Sequence, residues 1–190
     1  RDGETHWRQS VDREVATTRG SVGVCDVTTL GKIDVQGSDA AAFLNKIYCN
    51  GFAKLDVGKT RYGLMLREDG IAMDDGTAAR LAEDHFVVTT TTANAVSVYR
   101  HMEFARQVLW PDMDVQLIST TESWAQYAVA GPNARNLLLK IVDAEFDISN
   151  EAFPFMACGA ITVCGGLRAR LFRISFSGEL AYEIAVPTRY

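Results

Sequence analysis

A β-hairpin predicted over residues 61–76 places the tightest limit on how this chain can fold. Two apolar runs flank residues 67–70 (Arg-Glu-Asp-Gly), whose last two residues tolerate the positive φ of a tight turn. Because strand side chains alternate between faces, Asp75 is expected to share a face with Ile71 and Met73. A carboxylate on an apolar face is costly unless something binds it. The pattern therefore makes Asp75 a candidate site residue, and a turn-forming aspartate before Gly76 is the simpler alternative.

A second informative segment covers residues 172–184. It is predicted to form a strand, a tight turn at Ser177-Gly178 and a second strand that carries Glu183. Together with Asp75 it supplies acidic and aromatic groups, but no evident set of metal ligands. Ionised carboxylates only accept hydrogen bonds, so this combination favours a ligand with amino and ring N–H donors.

Three ordered segments resemble a known family: residues 62–75, Val129-Ala130-Gly131-Pro132, and residues 176–183. They are similar to folate-binding aminomethyltransferases, best known from the T-protein of the glycine cleavage system. Residues 26–37 look closer to the relatives found in the alpha subunit of heterotetrameric sarcosine oxidase. T-proteins usually carry Ser-His where this chain has Thr28-Thr29, and Tyr-Thr-Gly where it has Phe-Ser-Gly. The resemblance spans nearly all 190 residues.

The resemblance implies an α+β, aminomethyltransferase-like folate-binding fold. It also implies that the family's further strands and C-terminal barrel lie beyond residue 190, so the chain is expected to be a C-terminally truncated fragment. A β-α-β-β-α-β order within residues 81–164 predicts a ferredoxin-like lobe. Residues 1–80 and 165–190 would form a discontinuous β-rich lobe.

Several individual elements are predicted from periodicity and end signals. An amphipathic helix over residues 93–108 would bury Val98, Met102, Ala105 and Leu109 on one face. Ser38 is expected to cap a helix that runs to Tyr48. A short surface helix is expected over residues 8–19.

The resemblance also implies roles for five residues. Asp75 would be the catalytic residue, near the reactive amine nitrogens of tetrahydrofolate, and Tyr62 would form one wall of the pterin pocket. Glu183 would accept hydrogen bonds from the amino and ring N–H groups of the pterin. Phe176 stands where T-proteins often carry tyrosine, so it can pack but not donate a hydrogen bond. For Glu179, a role in the pocket and a role in the turn are equally supported. The alternative to a ligand-binding role is core packing for Tyr62 and solvent exposure for Glu183.

The function implied is the tetrahydrofolate-binding part of a sarcosine oxidase alpha subunit. It would accept the one-carbon unit from oxidative demethylation of sarcosine and yield 5,10-methylenetetrahydrofolate. NAD, FAD and FMN would be bound elsewhere in the complete heterotetramer, alongside the beta, gamma and delta subunits. The isolated fragment is expected to be inactive. Two alternatives are a glycine cleavage aminomethyltransferase and a non-enzymatic folate-fold scaffold.

Composition and residue spacing argue against several other classes of protein, namely nucleic-acid-binding, membrane-spanning and zinc-binding proteins. The chain is 47% hydrophobic and 23% charged, as globular domains are, and its net charge of −5 argues against a nucleic-acid surface. No apolar stretch is long enough to cross a membrane and no signal peptide opens the chain, so a cytoplasmic location is expected. The four cysteines lack C-x-x-C spacing and the three histidines are scattered, which predicts reduced thiols and no zinc site.

Overall fold

The computed structural model describes residues 3–190, which form two five-stranded sheets and four α-helices. The helices are α1 (Trp7–Gly20), α2 (Ala40–Ile47), α3 (Ala95–Phe104) and α4 (Ala134–Leu138). The strands are β1 (Gly23–Asp26), β2 (Gly31–Gln36), β3 (Thr60–Leu66), β4 (Ala72–Ala82), β5 (His85–Thr90), β6 (Gln116–Ser119), β7 (Trp124–Ala130), β8 (Cys158–Val163), β9 (Leu167–Phe172) and β10 (Ala181–Pro187). Within residues 3–190, no helix is long and apolar enough to span a membrane.

The strands divide into two antiparallel sheets. Sheet I has the order β3-β4-β5-β2-β6, and sheet II has the order β1-β7-β10-β9-β8. Helices α2 and α3 cover one face of sheet I, and α4 covers one face of sheet II. The opposite faces of the two sheets meet around a small cluster that includes Val87 and Phe172. Both faces of β2 and of β10 are therefore covered by other parts of the protein. Each strand carries polar side chains on the face that points toward the other sheet.

Strand β2 shows how a short sequence pattern determines this double burial. Ile33 and Val35 pack beneath the two helices of sheet I, where each contributes roughly 1.5–3 kcal/mol of burial free energy. Lys32 and Asp34 alternate with them and therefore face sheet II. All four side chains are buried, so each of the two charged groups needs partners within the protein.

A ferredoxin-like unit is present, but it does not lie in residues 81–164. It consists of β2, α2, β4, β5, α3 and β6, with β3 as an additional strand between α2 and β4 in the chain, and β5 lies between β2 and β4 in the sheet. Segment 81–164 is instead shared: β5 and β6 belong to sheet I, whereas β7 and β8 belong to sheet II. The predicted division into lobes is therefore wrong. Periodicity identifies strands but carries no information about which strands pair.

Two predicted helices differ in detail from the observed ones. Helix α3 ends at Phe104 and continues as a π-helical turn, Ala105–Leu109. The wider turn rotates Leu109 out of the buried face of Val98, Met102 and Ala105, and its side chain is 51% exposed. Ser38 does not cap α2, which begins at Ala40, because its hydroxyl donates to Asp114 instead. The predicted surface helix over 8–19 is confirmed by α1.

Candidate functional site

Two adjoining cavities lie beside Glu183, and the smaller of them lies between sheet I and sheet II. The larger, of about 720 Å³, extends from α1 and β1 to the segment between β9 and β10. The smaller, of about 410 Å³, is bounded by β3, β4 and β5 on one side and by Glu183 on the other. Four residues line both cavities: Leu30, Ile174, Phe176 and Glu183. Both sheets are therefore needed to form the smaller cavity.

Strands β3 and β4 bring Tyr62 and Asp75 together at the smaller cavity. The Tyr62 hydroxyl donates a hydrogen bond of 2.8 Å to Asp75 Oδ2. This bond to a carboxylate, with some desolvation, raises the pKa of the Tyr62 phenol, so the hydroxyl remains a donor. The Tyr62 ring is 49% exposed, which leaves one aromatic face available at the cavity.

The prediction that Asp75 shares a strand face with Met73 is wrong, although Asp75 does line the smaller cavity. Met65 pairs with Asp74 and Leu66 with Ala72, so the ladder bulges at Met73. A bulge interrupts the alternation of side chains. As a result, Asp74 is buried and Asp75 is exposed, whereas simple alternation predicts the reverse.

Asp74 has a structural role. Its carboxylate accepts hydrogen bonds from the Thr91 amide and hydroxyl, at 3.0 and 2.7 Å, and from the Asn94 side chain at 3.1 Å. These bonds attach β4 to the segment that leads into α3. They stabilise the strand immediately before Asp75.

Glu183 reaches the cavities from β10, on the side of sheet II that faces sheet I. Gln126 Nε2 on the neighbouring strand β7 donates a short hydrogen bond to Glu183 Oε2. Burial raises the pKa of the Glu183 carboxyl, while Gln126 and the positive charge of Lys32 act in the opposite direction. Glu183 is thus a partly desolvated acceptor at the boundary of both cavities.

The segment between β9 and β10 carries the two remaining predicted residues, Phe176 and Glu179, which differ in their position relative to the cavities. Phe176 is fully exposed and lines both cavities, so its ring offers apolar surface without a packing partner of its own. Glu179 lines only the larger cavity and accepts a 2.9 Å hydrogen bond from the Ser177 hydroxyl. Gly178 has a φ of +93°, which favours glycine at this turn. Of the five predicted residues, the structure brings Tyr62, Asp75, Phe176 and Glu183 to the smaller cavity and leaves Glu179 beside it.

Two residues near Glu183 escaped the sequence analysis, namely Lys32 and Gln126. Both are about 1% exposed and both are polar. The signal for Lys32 was available, because Lys32 and Asp34 alternate with two apolar residues along β2. Gln126 gave no such signal, because its importance depends on the pairing of β7 with β10.

Cysteines and potential metal ligands are dispersed in the part of the chain that the structure describes. Among residues 3–190, no group of three or more His, Cys, Asp or Glu side chains is placed to hold a metal ion. The cysteines are free, with Cys158 buried and Cys25, Cys49 and Cys164 exposed. The site is therefore composed of carboxylate, phenol, amide and apolar groups.

Comparison with known proteins gives consistent matches. Residues 2–190 match the GCVT N-terminal domain. A sarcosine oxidase subunit alpha from Rhizobium meliloti (strain 1021) is 61% identical over 100% of this chain, and one from Corynebacterium sp. (strain P-1) is 51% identical over 98%. An aminomethyltransferase from Geobacillus sp. (strain WCH70) is 30% identical over 92% of this chain and 46% of its own length. This chain spans only 19% of the length of the two sarcosine oxidase subunits.

Solved structures agree with the fold. The glycine cleavage system aminomethyltransferase T from Bartonella henselae superposes with a TM-score of 0.78 at 27% identity, over 92% of this chain and 44% of that one. A chain of heterotetrameric sarcosine oxidase from Corynebacterium sp. U-96 has a TM-score of 0.66 at 16% identity, over 95% and 84%, and supports the fold alone. The aminomethyltransferase-like fold and the similarity to sarcosine oxidase alpha subunits are thus confirmed. This chain belongs to the GCVT N-terminal domain family.

Proposed function

We propose that this chain forms the tetrahydrofolate-binding site of a sarcosine oxidase alpha subunit. The single observation that carries the proposal is the convergence of Tyr62, Asp75 and Glu183 on one cavity of about 410 Å³. These residues come from two different sheets and are more than a hundred positions apart at the extremes. The 61% identity with a sarcosine oxidase subunit alpha favours this branch over the aminomethyltransferases, for which 30% is found.

The groups present fit a reduced pterin. Its flat ring system carries amino and ring N–H donors, and carboxylates are obligate acceptors. Glu183 and Asp75 supply such acceptors from opposite sides of the cavity. Tyr62 supplies an aromatic face, against which a flat heterocycle packs well. The cavity volume also falls within the roughly 300–1,000 Å³ that small-molecule sites occupy.

The residues of the chain have separable tasks in this proposal. The amine nitrogens of bound tetrahydrofolate would accept the one-carbon unit. The folate would then leave as 5,10-methylenetetrahydrofolate. Asp75, oriented by the hydroxyl of Tyr62, would stabilise positive charge that develops next to it during transfer. Glu183 would hold the ring in a single orientation. The walls of the two sheets would limit the access of water.

The wider activity belongs to the complete assembly. Sarcosine would be demethylated oxidatively at a flavin outside these residues, with NAD, FAD and FMN bound elsewhere and beta, gamma and delta subunits as partners. The location would be the cytoplasm. This chain would provide the acceptor site and not the redox centre.

Calorimetric titration of the intact protein with tetrahydrofolate tests the proposal. Wild type should bind, and Glu183→Gln should bind at least about tenfold more weakly, because a carboxylate paired with N–H donors contributes roughly 1.5–3 kcal/mol. Glu151→Gln, on an exposed loop away from both cavities, is the matched control and should bind as wild type does. Wild-type protein that shows no affinity for tetrahydrofolate would exclude the proposed function.

A further inference from the structure

Lys32 is a buried cation whose side chain lies next to the site. Its side chain projects from β2 toward sheet II, and the residue is 1% exposed. The Nζ atom donates hydrogen bonds of 2.8 Å to the carbonyl oxygens of Thr28 and Leu30. These two bonds occupy two of the three donors of the ammonium group. They also attach the loop before β2 to the strand itself.

That loop is a wall of both cavities. Leu30 lines the larger and the smaller cavity. The loop is also connected to β7, since the Val27 amide donates to Gln126 O at 2.9 Å and the Gln126 amide donates to Thr28 Oγ1 at 3.0 Å. Through these contacts the position of Leu30 depends on Lys32 and Gln126 together.

The same residues reach Glu183. Gln126 donates its side-chain amide to Glu183 Oε2 and its backbone amide to Thr28, whose carbonyl oxygen accepts from Lys32. The positive charge of Lys32 opposes the rise that burial causes in the pKa of Glu183. Asp26, at the end of β1, is the other carboxylate that acts on Lys32. A buried lysine and a partly desolvated glutamate are each costly to ionise alone, so each favours the charged form of the other.

We propose that Lys32 is a positioning residue that holds the loop of residues 28–30 as a wall of the ligand cavity and supplies the positive charge on the protein side of Glu183. The inference rests on the proposed function for the identity of the ligand, but not for the interaction between Lys32 and Glu183. Lys32 acts on the ligand through Glu183 and Leu30. Lys32 lines neither cavity, so this role involves no direct contact with the ligand.

Other titratable groups also surround Glu183. Across the smaller cavity it faces Tyr62 and Asp75. Across the larger cavity it faces Arg13, Glu14, Cys25 and Glu179. Because all of these remain in place when Lys32 is replaced, a change in the titration of Glu183 reports the loss of the lysine charge.

The pH dependence of tetrahydrofolate binding by the intact protein is the first measurement. An ionised Glu183 is the better acceptor, so affinity should be lost as the pH falls through the pKa of this group. Lys32→Met should move that midpoint upward by about one pH unit, because an opposite charge nearby shifts a carboxyl pKa by roughly 1–3 units. Below both midpoints the variant should bind about tenfold more weakly than wild type. Glu183→Gln should remove this pH dependence, and Lys46→Met, on the exposed face of α2, should leave it unchanged.

Two further variants separate charge from packing. Lys32→Gln retains an N–H donor for the loop carbonyls but lacks the charge, so it should show the same upward shift as Lys32→Met. Lys32→Arg retains the charge and should titrate as wild type does. If Lys32→Met does not fold, this pair still decides the question. A shift in both variants, or in neither, would overturn the assignment to charge.

A measurement without ligand distinguishes failure of this inference from failure of the proposed function. The infrared carboxyl band of Glu183, identified by its absence in Glu183→Gln, is followed as a function of pH. The band should titrate at higher pH in Lys32→Gln than in wild type, whether or not folate binds. An unchanged midpoint would overturn the role of Lys32, whereas a shifted midpoint without folate binding would contradict only the proposed ligand.

Discussion

At the scale of single residues, the Tyr62–Asp75 pair is the most informative contact of the site. Asp75 is exposed to the cavity, so the energetic argument for its role is not relief of a buried charge. Its value comes from orientation, because the 2.8 Å bond from Tyr62 engages Oδ2 and limits how the carboxylate can turn. A pre-oriented carboxylate needs no rearrangement when positive charge develops beside it.

The product formed by an Asp75 variant tests this role. In the intact protein, we expect Asp75→Ala to leave sarcosine oxidation within about twofold of wild type, while formaldehyde largely replaces 5,10-methylenetetrahydrofolate. Loss of one such electrostatic contact typically reduces a rate by about 10²–10³. Product analysis after turnover with sarcosine and tetrahydrofolate measures the ratio. Asp112→Asn, on an exposed loop, is the control. A normal yield of 5,10-methylenetetrahydrofolate from Asp75→Ala would show that the residue has been given the wrong role.

At the scale of secondary-structure elements, β2 connects sheet I to sheet II. Asp34 accepts two hydrogen bonds from Arg170 of β9, at 2.9 and 2.7 Å, and one from Thr120 at 3.1 Å. His85 Nε2 lies 3.1 Å from Asp34 Oδ2, and the Arg170 guanidinium stacks on Trp124 at 4.2 Å. One strand thus supplies Lys32 to the site and Asp34 to the junction between the sheets.

Replacing Asp34 should destabilise the protein. Burial opposes the ionisation of Asp34, but His85 and Arg170 outweigh it and lower the pKa to about 2. Asp34→Asn leaves Arg170 buried without its counter-charge, which typically costs roughly 3–5 kcal/mol. Chemical denaturation of the wild type and the variant measures this difference. The double variant Asp34→Leu, Arg170→Met should recover much of the loss, since both charges are then removed. If the single variant is as stable as wild type, the pair does not hold the sheets together.

The same pair predicts a direction for the dependence of stability on pH. A carboxyl whose pKa is lowered on folding stabilises the protein above its unfolded value of about 3.9. That contribution is lost as the pH falls through the folded pKa of about 2. The difference in stability between wild type and Asp34→Asn should therefore be constant above about pH 5 and shrink as the pH falls toward 2. A difference that persists unchanged at low pH would mean that packing, and not the charge, is responsible.

At the scale of the whole molecule, the site exists only because the two sheets meet. Tyr62 and Asp75 belong to sheet I and Glu183 to sheet II. The chain spans 19% of the length of its sarcosine oxidase relatives, and these longer relatives have additional surface outside the matched residues. Strands β1, β8, β3 and β6 are the edges of the two sheets. Uncovered edge strands favour association between chains.

Affinity should therefore differ between the isolated chain and the intact protein. We expect the 190-residue chain to bind tetrahydrofolate roughly ten- to a hundredfold more weakly, the effect of losing about one charged hydrogen bond. Calorimetric titration of both forms, with gel filtration to detect association, measures this. Equal affinities would mean that these residues contain every important contact.

Local patterns in the sequence determined much of this protein. The Asp-Gly turn and its two apolar runs were sufficient for the β3–β4 hairpin, because hairpin formation depends on neighbours in the chain. Periodicity likewise located α1 and most of α3. Ordered motifs identified the family and selected Tyr62, Asp75, Phe176 and Glu183, which the structure brings to one cavity.

Only the tertiary structure decided which strands pair and which carboxylate is buried. The bulge at Met73 exchanged the environments of Asp74 and Asp75, and bulges arise from the pairing of strands, which alternation alone does not encode. Lys32 and Gln126 are connected to the site only through tertiary structure. β7 pairs with β10, and β2 lies opposite β10 in the other sheet. The reason is physical: turns and helix faces depend on local contacts, whereas sheet order and buried charge pairs depend on contacts between residues far apart in the chain.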